Sequence, residues 1–262
     1  MNRAISLVAN GIRAVRVQGL DRAFLLTIRY LSWKYRYHNR VRQLPPTVAG
    51  IICWVTVQWV RLTVRFLHFL RPKKYTASDP YAVIYVDPSD IIRISSLHDQ
   101  KRRGWVVDGD WDEGGESFDE LPLPQSIRAH YQDDVPWEKT PLATEYDDPD
   151  SFRQKCEKIE RLHDSIKKNG FRLQRELAED SPTEIWENAN ATIAPFTNEI
   201  TVDIGRDGKI LWNMLGKHRL SIAKALELEQ VPVMIYSRHR EWELKSVRSP
   251  NTTNISRNFA FE

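Results

Sequence analysis

The chain has few of the residues that build a disulfide-bonded protein. Among 262 residues there are only two cysteines, Cys53 and Cys156, and they stand in unrelated sequence contexts. They predict neither a disulfide framework nor a paired-cysteine metal site. Met1 is not followed by a basic cap, an apolar run and a small-residue cleavage site, so no export signal is predicted. We therefore expect a cytoplasmic protein.

Acidic residues are almost missing from the first part of the chain. Residues 1–75 contain fourteen Lys and Arg but a single acid, Asp21, which gives a charge of +13. Residues 76–201 contain fourteen basic and twenty-seven acidic residues, a charge of −13, and residues 202–262 add ten basic and seven acidic ones. This asymmetry predicts a basic arm, residues 1–75, that meets an anionic surface, either a membrane or a nucleic acid.

Apolar residues recur at helical spacing in this arm, around Ile5–Val15 and again from Asp21 to His38, so we expect it to be mainly α-helical. From Val48 to Leu70 the sequence is mostly apolar and is long enough to cross a bilayer. Arg61 and Arg65 would each cost roughly 2.5–3.5 kcal/mol at the bilayer centre. A helix lying on the membrane surface is therefore favoured, with packing on the rest of the protein and a true span as alternatives.

The remainder predicts a small domain of α/β (α+β) class over residues 76–245. A strand is expected at Ala82–Val86, followed by a short helix that Asp87–Asp90 would cap. Residues 113–150 are acidic and rich in proline, which predicts a surface insertion with one short helix. Ser151–Asn169 has one apolar stripe and is the clearest helix in the chain. Residues 246–262 are expected to form a flexible tail.

A hairpin followed by a helix is predicted in the last third of the chain. Ile200–Ile204 alternates as a strand, Gly205–Gly208 turns, and Ile210–Trp212 returns as the partner strand. The sequence then predicts a helix from about His218 to Leu228 and a buried strand at Val231–Tyr236.

Between hairpin and helix stands Gly216-Lys217-His218-Arg219. Free amides at a helix start, together with the helix dipole, attract phosphate. A guanidinium such as that of Arg219 can add bidentate contacts, and a glycine lets the backbone approach the ligand. These four residues are the candidate phosphate-binding site. The alternative is structural: Arg219 pairs with a nearby acid such as Asp207, and His218 caps the helix.

Three segments in this order resemble the ParB/sulfiredoxin superfamily. Gly216–Arg219 and the strand entry Glu227–Val233 resemble the "Gly-x-[His/Arg]-Arg" helix start and the "Gly-Leu-x-x-[Val/Ile]-Pro-Val" element of that superfamily. Leu162–Phe171 resembles its "Leu-x-x-Ser-Ile-x-x-Asn-Gly" helix, and Tyr85–Ile91 resembles its opening strand and turn. Residues 1–75 have no counterpart.

The resemblance implies a nucleotide ligand such as ATP, ADP or CTP at Gly216–Arg219. In this resemblance Lys217 stands where sulfiredoxins have their nucleophilic cysteine. Without that cysteine, sulfiredoxin chemistry is excluded. Phosphoryl transfer and nucleotide hydrolysis are the reactions compatible with such a site. The candidate acid or base groups are His218, Asp207 and Asp87, the last two chosen from residue type alone.

A metal site is the second candidate feature. Asp108, Asp110 and Asp112 alternate along a predicted loop, where three carboxylates could hold Mg²⁺ beside a bound nucleotide. The alternative is a solvated acidic turn. The nearby Arg238 and Arg240 either flank the phosphate site or end the last strand in solvent.

Three functions remain open. The first is a domain that binds a nucleotide or another phosphorylated ligand, held peripherally at an anionic membrane by residues 1–75. The second is a ParB-like nucleic-acid-binding protein or nuclease, in which the arm meets DNA phosphates. The third is a non-catalytic, membrane-associated adaptor that senses a nucleotide.

Overall fold

The computed structural model describes residues 46–98, 103–180 and 198–248. The helices predicted before residue 46 and the tail from residue 249 onward lie outside these ranges.

The described residues form a six-stranded mixed sheet with helices packed against it, which confirms the α/β class. The strands are β1 (Val83–Val86), β2 (Arg93–Ile94), β3 (Trp105–Val107), β4 (Ile200–Ile204), β5 (Ile210–Trp212) and β6 (Val231–His239). Their spatial order is β1-β6-β4-β5-β2, and β3 pairs with the far end of β6. The predicted β4–β5 hairpin is therefore confirmed.

The central strands β4 and β6 are buried along their whole length. They run parallel, with a register shift between Val202 and Ile204. The Asp203 carboxylate lies at this irregularity and accepts a hydrogen bond from the Ser237 backbone amide at 2.8 Å. Since a buried amide without a partner is costly, this side chain replaces the missing ladder bond.

Six α-helices accompany the sheet in the described part of the chain. They are α1 (Pro46–Leu70), α2 (Pro122–Gln132), α3 (Pro149–Asn169), α4 (Gln174–Asp180), α5 (Lys217–Ala225) and α6 (Arg240–Arg248). Helix α3 starts two residues earlier than predicted because Asp148 caps it, accepting from the amides of Asp150 and Ser151. It ends at Gly170, whose φ of +75° suits a glycine C-cap, as predicted.

The short helix expected after Asp87 is a single 3₁₀ turn, Pro88–Asp90, which the Asp87 carboxylate caps. The chain then enters β2 rather than continuing as a helix.

Residues 113–150 contain the one short α-helix that was predicted, but they are packed into the domain and do not lie only on its surface. This segment contains α2 and three 3₁₀ turns, Phe118–Glu120, Trp137–Lys139 and Pro141–Glu145. Its apolar side chains form a second hydrophobic core with α3 and α5; these are Leu123, Ile127, Trp137 and Leu142. The acidic residues that suggested an insertion lie mostly on the outside of this layer.

Helix α1 packs on the domain by one face only. Val57, Val64 and Leu67 are buried, and Arg61 donates to the Asp79 carboxylate at 3.0 and 2.8 Å. The opposite face exposes nine large apolar side chains: Val48, Ile51, Trp54, Val55, Trp59, Leu62, Phe66, Phe69 and Leu70. Among the described residues, no helix is long and apolar enough to cross a membrane.

Candidate functional site

The start of α5 is the predicted phosphate-binding element. The first intrahelical hydrogen bond runs from the Leu220 amide to the Gly216 carbonyl, so the amides of Lys217, His218 and Arg219 precede the helical ladder. No side chain caps them. The helix start therefore offers three backbone donors and the positive end of its dipole.

A basic side chain of α3 meets the first turn of α5 at this point. The Lys155 ammonium donates a short hydrogen bond to Nε2 of His218, and Lys217 is close enough to act on both electrostatically. An ammonium group can only donate, so Nε2 accepts and the neutral imidazole carries its proton on Nδ1. Neither lysine has a carboxylate within 4.0 Å in the described part of the chain. We call Lys155, Lys217 and His218 the basic cluster.

Burial and like-charge repulsion disfavour the charged forms of the basic cluster. Burial, followed by repulsion from Lys155 and Lys217, lowers the pKa of His218 to about 4. Burial and repulsion from Lys217 also lower the pKa of Lys155. A bound anion would reverse both effects because it stabilises the charged form of each base.

Arg219, by contrast, does not face the helix start. Its guanidinium is buried and donates to the Glu199 carboxylate at 2.7 Å and to the carbonyl of Arg172. It also lies 4.2 Å from the ring centroid of Phe171. The prediction of Arg219 as a phosphate ligand was wrong, since these contacts occupy its guanidinium inside the fold. The structural alternative holds for Arg219, with Glu199 in place of Asp207, but not for His218, because no side chain caps this helix.

Gly216 also serves the fold rather than a ligand. Its φ of +77° is left-handed, and a Cβ at this position would lie 2.7 Å from Cγ1 and 2.8 Å from Cα of Ile200. The sequence suggested that Gly216 lets the backbone approach a ligand. In the structure it lets the start of α5 approach β4. Gly216 does not contribute to a phosphate cradle through its missing side chain.

The two carboxylates proposed as acid or base groups lie elsewhere. Asp207 is at the tip of the β4–β5 hairpin, where it pairs with Lys209 at 2.6 Å. Gly216 contacts Ile200, which lies at the other end of that hairpin. The length of β4, about 13 Å at 3.3 Å per residue, separates this end from the tip. Asp87 caps its 3₁₀ turn and lines a cavity beside the C-terminal half of α5. Of the three catalytic candidates, only His218 belongs to the basic cluster.

The loop that carries Asp108, Asp110 and Asp112 binds arginine side chains. Arg206 donates to Asp110 at 2.8 Å and to Asp112 at 2.8 Å, and Arg240 pairs with Asp108. No group of three metal-ligating side chains occurs among the described residues. The predicted Mg²⁺ site at Asp108, Asp110 and Asp112 is therefore not supported, because two arginines already neutralise these carboxylates.

Arg238 was expected either to flank the phosphate site or to face solvent, and it does neither. It is 1% exposed inside the sheet, with Nε 3.8 Å from the Glu243 carboxylate. Asp203 is also fully buried, and burial raises its pKa despite hydrogen bonds from Asn213 and Ser237. Both groups lie in the interior of the sheet, and neither is hydrogen-bonded to the basic cluster.

Sequence reasoning missed Lys155 and Glu199, although each had a signal. Lys155 stands three residues after Phe152 and four before Ile159, so it belongs to the packing face of α3. Glu199 directly precedes the predicted β4–β5 hairpin, whose antiparallel pairing returns the chain to the same end just before the first turn of α5.

Comparison with protein-family models, with curated proteins and with solved structures found no significant match to this chain. The function must therefore be argued from the site itself.

Proposed function

We propose that the domain binds a phosphorylated ligand, such as a nucleotide, at the start of α5. The observation that carries this proposal is the hydrogen bond between Lys155 and His218, with Lys217 nearby, in the first turn of a helix whose first three amides no side chain caps. Two ammonium groups, a histidine and the positive end of a helix dipole belong to this one region, and a phosphate group offers the matching charge and several acceptor oxygens.

The resemblance to the ParB/sulfiredoxin superfamily supports the same ligand class. The segments that carry the resemblance are close together in the fold: β1 pairs antiparallel with β6, and α3 packs against α5. Phe171, at the end of the helix segment, contacts the first turn of α5 through Arg219. We therefore propose a domain of this type, in which Lys155 and Lys217 supply the positive charge at the helix start.

The chemistry available at the cluster is limited to charge neutralisation and proton transfer by His218. Neutral at pH 7, this imidazole can accept or donate a proton once a bound anion has raised its pKa. No carboxylate of the predicted set lies at the cluster to act as a base. Binding and sensing of a phosphorylated ligand is therefore better supported than phosphoryl transfer.

Titration of the full-length chain with pyrophosphate, ADP, ATP and CTP tests this proposal, with and without Mg²⁺. We expect saturable binding of at least one of these ligands and chemical-shift changes at the amides of 217–219. If none of them binds or shifts these amides, the proposal is wrong.

We also propose that α1 lies on an anionic membrane surface. Exposed large apolar side chains extend along it from Val48 to Leu70, about 33 Å at 1.5 Å per residue, and include Trp54 and Trp59. Arg65 is the one charged side chain among the exposed residues that the structure describes on α1. An apolar stripe with tryptophans and flanking basic residues is typical of helices in the headgroup region.

The alternative of nucleic-acid binding is less well supported. A helix that meets DNA phosphates exposes lysine and arginine, whereas α1 exposes large apolar side chains. Residues 76–201 carry a charge of −13, which opposes binding of the domain to DNA. Co-sedimentation with phosphatidylserine vesicles, compared with retention on duplex DNA at equal salt, separates the two. We expect retention on vesicles, and preference for DNA would contradict the proposal.

A further inference from the structure

A cavity lies at the end of α5 opposite the basic cluster. It has a volume of about 480 Å³ and is bounded by the 3₁₀ turn Pro88–Asp90, helix α2, the C-terminal half of α5 and the turn 227–229. Neither Lys217 nor His218 lines it. Lys224, on its wall, is seven residues from Lys217, or about 10 Å along the helix axis. The cavity is therefore separate from the basic cluster, and its volume is in the range of small-molecule pockets.

The charges on its wall are mainly negative. They are four carboxylates and two cations: Asp87, Asp119, Glu227, Glu229, Arg128 and Lys224. Lys224 donates to both oxygens of Asp119 at 2.8 Å, so this pair is already neutralised. Three carboxylates then remain against one arginine, and the net charge of the wall is −2.

The end of α5 adds to this negative potential. The helix ends at Ala225, whose carbonyl accepts a hydrogen bond from the Gln132 side chain at 3.0 Å. The carbonyl end of a helix carries a partial negative charge, which attracts cations. The helix dipole and the carboxylates therefore both favour a positively charged ligand.

Part of the wall is apolar, and this part favours a cation that carries hydrocarbon. Pro88 and Pro124 are buried, and Leu228 is partly buried and packs against the hydrophobic core. No group of three side chains suited to a metal ion occurs in the described ranges. We propose that this cavity binds an organic cation, an ammonium or guanidinium group carried on a short hydrocarbon chain.

Glu227 provides a way to separate binding from folding. Its φ of +52° is left-handed, a conformation that suits glycine, so Glu227→Gly should stabilise the fold while it removes a carboxylate from the cavity. Asp134 has a φ of +54° and does not line the cavity. Asp134→Gly is therefore the matched control, since it changes the charge and the backbone in the same way.

The test uses the full-length, ¹⁵N-labelled chain at low ionic strength and pH 7. Cadaverine and agmatine serve as organic cations, 1,5-pentanediol as the neutral analogue, and acetyl-Gly-Lys-Gly-amide as a basic side chain carried by a peptide. We expect saturable binding of a cation below about 10 mM, with shifts concentrated at residues 87–89 and 224–229. Binding of the peptide as well as cadaverine identifies a basic side chain as the source of the ligand, whereas binding of the free cations alone identifies a small molecule.

Glu227→Gly should raise Tm and weaken cation binding about tenfold, the loss of one charge-assisted contact. Asp134→Gly should raise Tm and leave the affinity unchanged. Glu229→Gln, which leaves the Glu227 backbone untouched, should also weaken binding. The proposal is overturned if no cation binds, if the diol binds equally well, or if both cavity variants retain full affinity.

Discussion

Arg219 and Glu199 form a buried ion pair, with Nη1 of the guanidinium 2.7 Å from Oε2 of the carboxylate. The Glu199 carboxylate also accepts from the Gln174 amide at 2.6 Å, and Arg219 donates to the Arg172 carbonyl. The pair thus connects α5, the start of β4 and the segment that leads from α3 to α4. Burial raises the pKa of Glu199 and lowers that of Arg219, so each charge depends on the other.

Arg219→Ala should therefore destabilise the protein by about 3–5 kcal/mol, since it leaves a buried carboxylate without its partner. Urea denaturation measures this loss. The double substitution Arg219→Met with Glu199→Leu should recover most of it, because a similar apolar pair leaves no buried charge. An Arg219→Ala variant that keeps wild-type stability but loses phosphate binding would restore the sequence-based role of Arg219.

Gly216→Ala should also destabilise the fold. A residue with a side chain is strained at a φ of +77°, and its Cβ would overlap backbone and side-chain atoms of Ile200. We expect a loss of at least about 1 kcal/mol in the free energy of unfolding. Gly109→Ala, also at positive φ but with open space around the added Cβ, is the control and should cost less. Equal losses in the two variants would show that the contact with Ile200 is unimportant.

The pKa of His218 predicts a pH dependence for anion binding. A bound anion should raise this pKa from about 4 toward the ordinary value of 6.5, so binding takes up a proton. The affinity for sulfate, which does not titrate in this range, should then increase as pH falls from about 6.5, by up to about tenfold per pH unit. Calorimetry at pH 7 and 5.5 measures this change.

His218→Gln should remove this dependence and is the control. Without ligand, the lowered pKa of His218 has the opposite effect on the stability of the fold, which decreases at low pH. The unfolded chain binds the proton more readily, so stability should decrease as pH falls below about 6.5. A sulfate affinity that does not change with pH in the wild-type chain would exclude His218 from the anion site.

A charge placed on the exposed apolar face of α1 should weaken membrane binding. Leu62 is 60% exposed on the outward face, and Leu62→Asp should reduce binding to phosphatidylserine vesicles about tenfold or more. The change removes apolar area that would enter the membrane and adds a charge repelled by anionic lipid. Leu244→Asp is the control, because Leu244 is 52% exposed on α6. Equal effects of both substitutions on vesicle binding would contradict a specific role for α1.

Regular periodicity explains which parts of the fold could be predicted. The stripe of α3, the alternation of β4 and the glycine cap at Gly170 each follow from local spacing, and the structure has all three. Residues 113–150 were misjudged because their acidic composition concealed four spaced apolar side chains, Leu123, Ile127, Trp137 and Leu142. Short 3₁₀ turns have no periodicity by which a sequence can predict them.

At the site, the helix start could be predicted but the direction of its side chains was missed. Arg219 stands three and four residues before Ile222 and Ala223, so it lies on the buried face of α5. The sequence contained this information. Lys155 belongs to another helix, 63 residues from His218 in the sequence, and its approach to His218 depends on packing that no local pattern specifies.

The central claim is that the basic cluster binds phosphate, and one comparison tests it most directly. Pyrophosphate is titrated calorimetrically into the wild-type chain, Lys155→Ala and Lys167→Ala. Lys167 is on the same helix but exposed near its far end, so it controls for net charge and helix content. We predict that Lys155→Ala weakens binding by about 1.5–3 kcal/mol, the range of a charge-assisted hydrogen bond, and that Lys167→Ala changes it by less than about 0.5 kcal/mol. Equal affinities for all three proteins, or no binding by the wild-type chain, would contradict the claim.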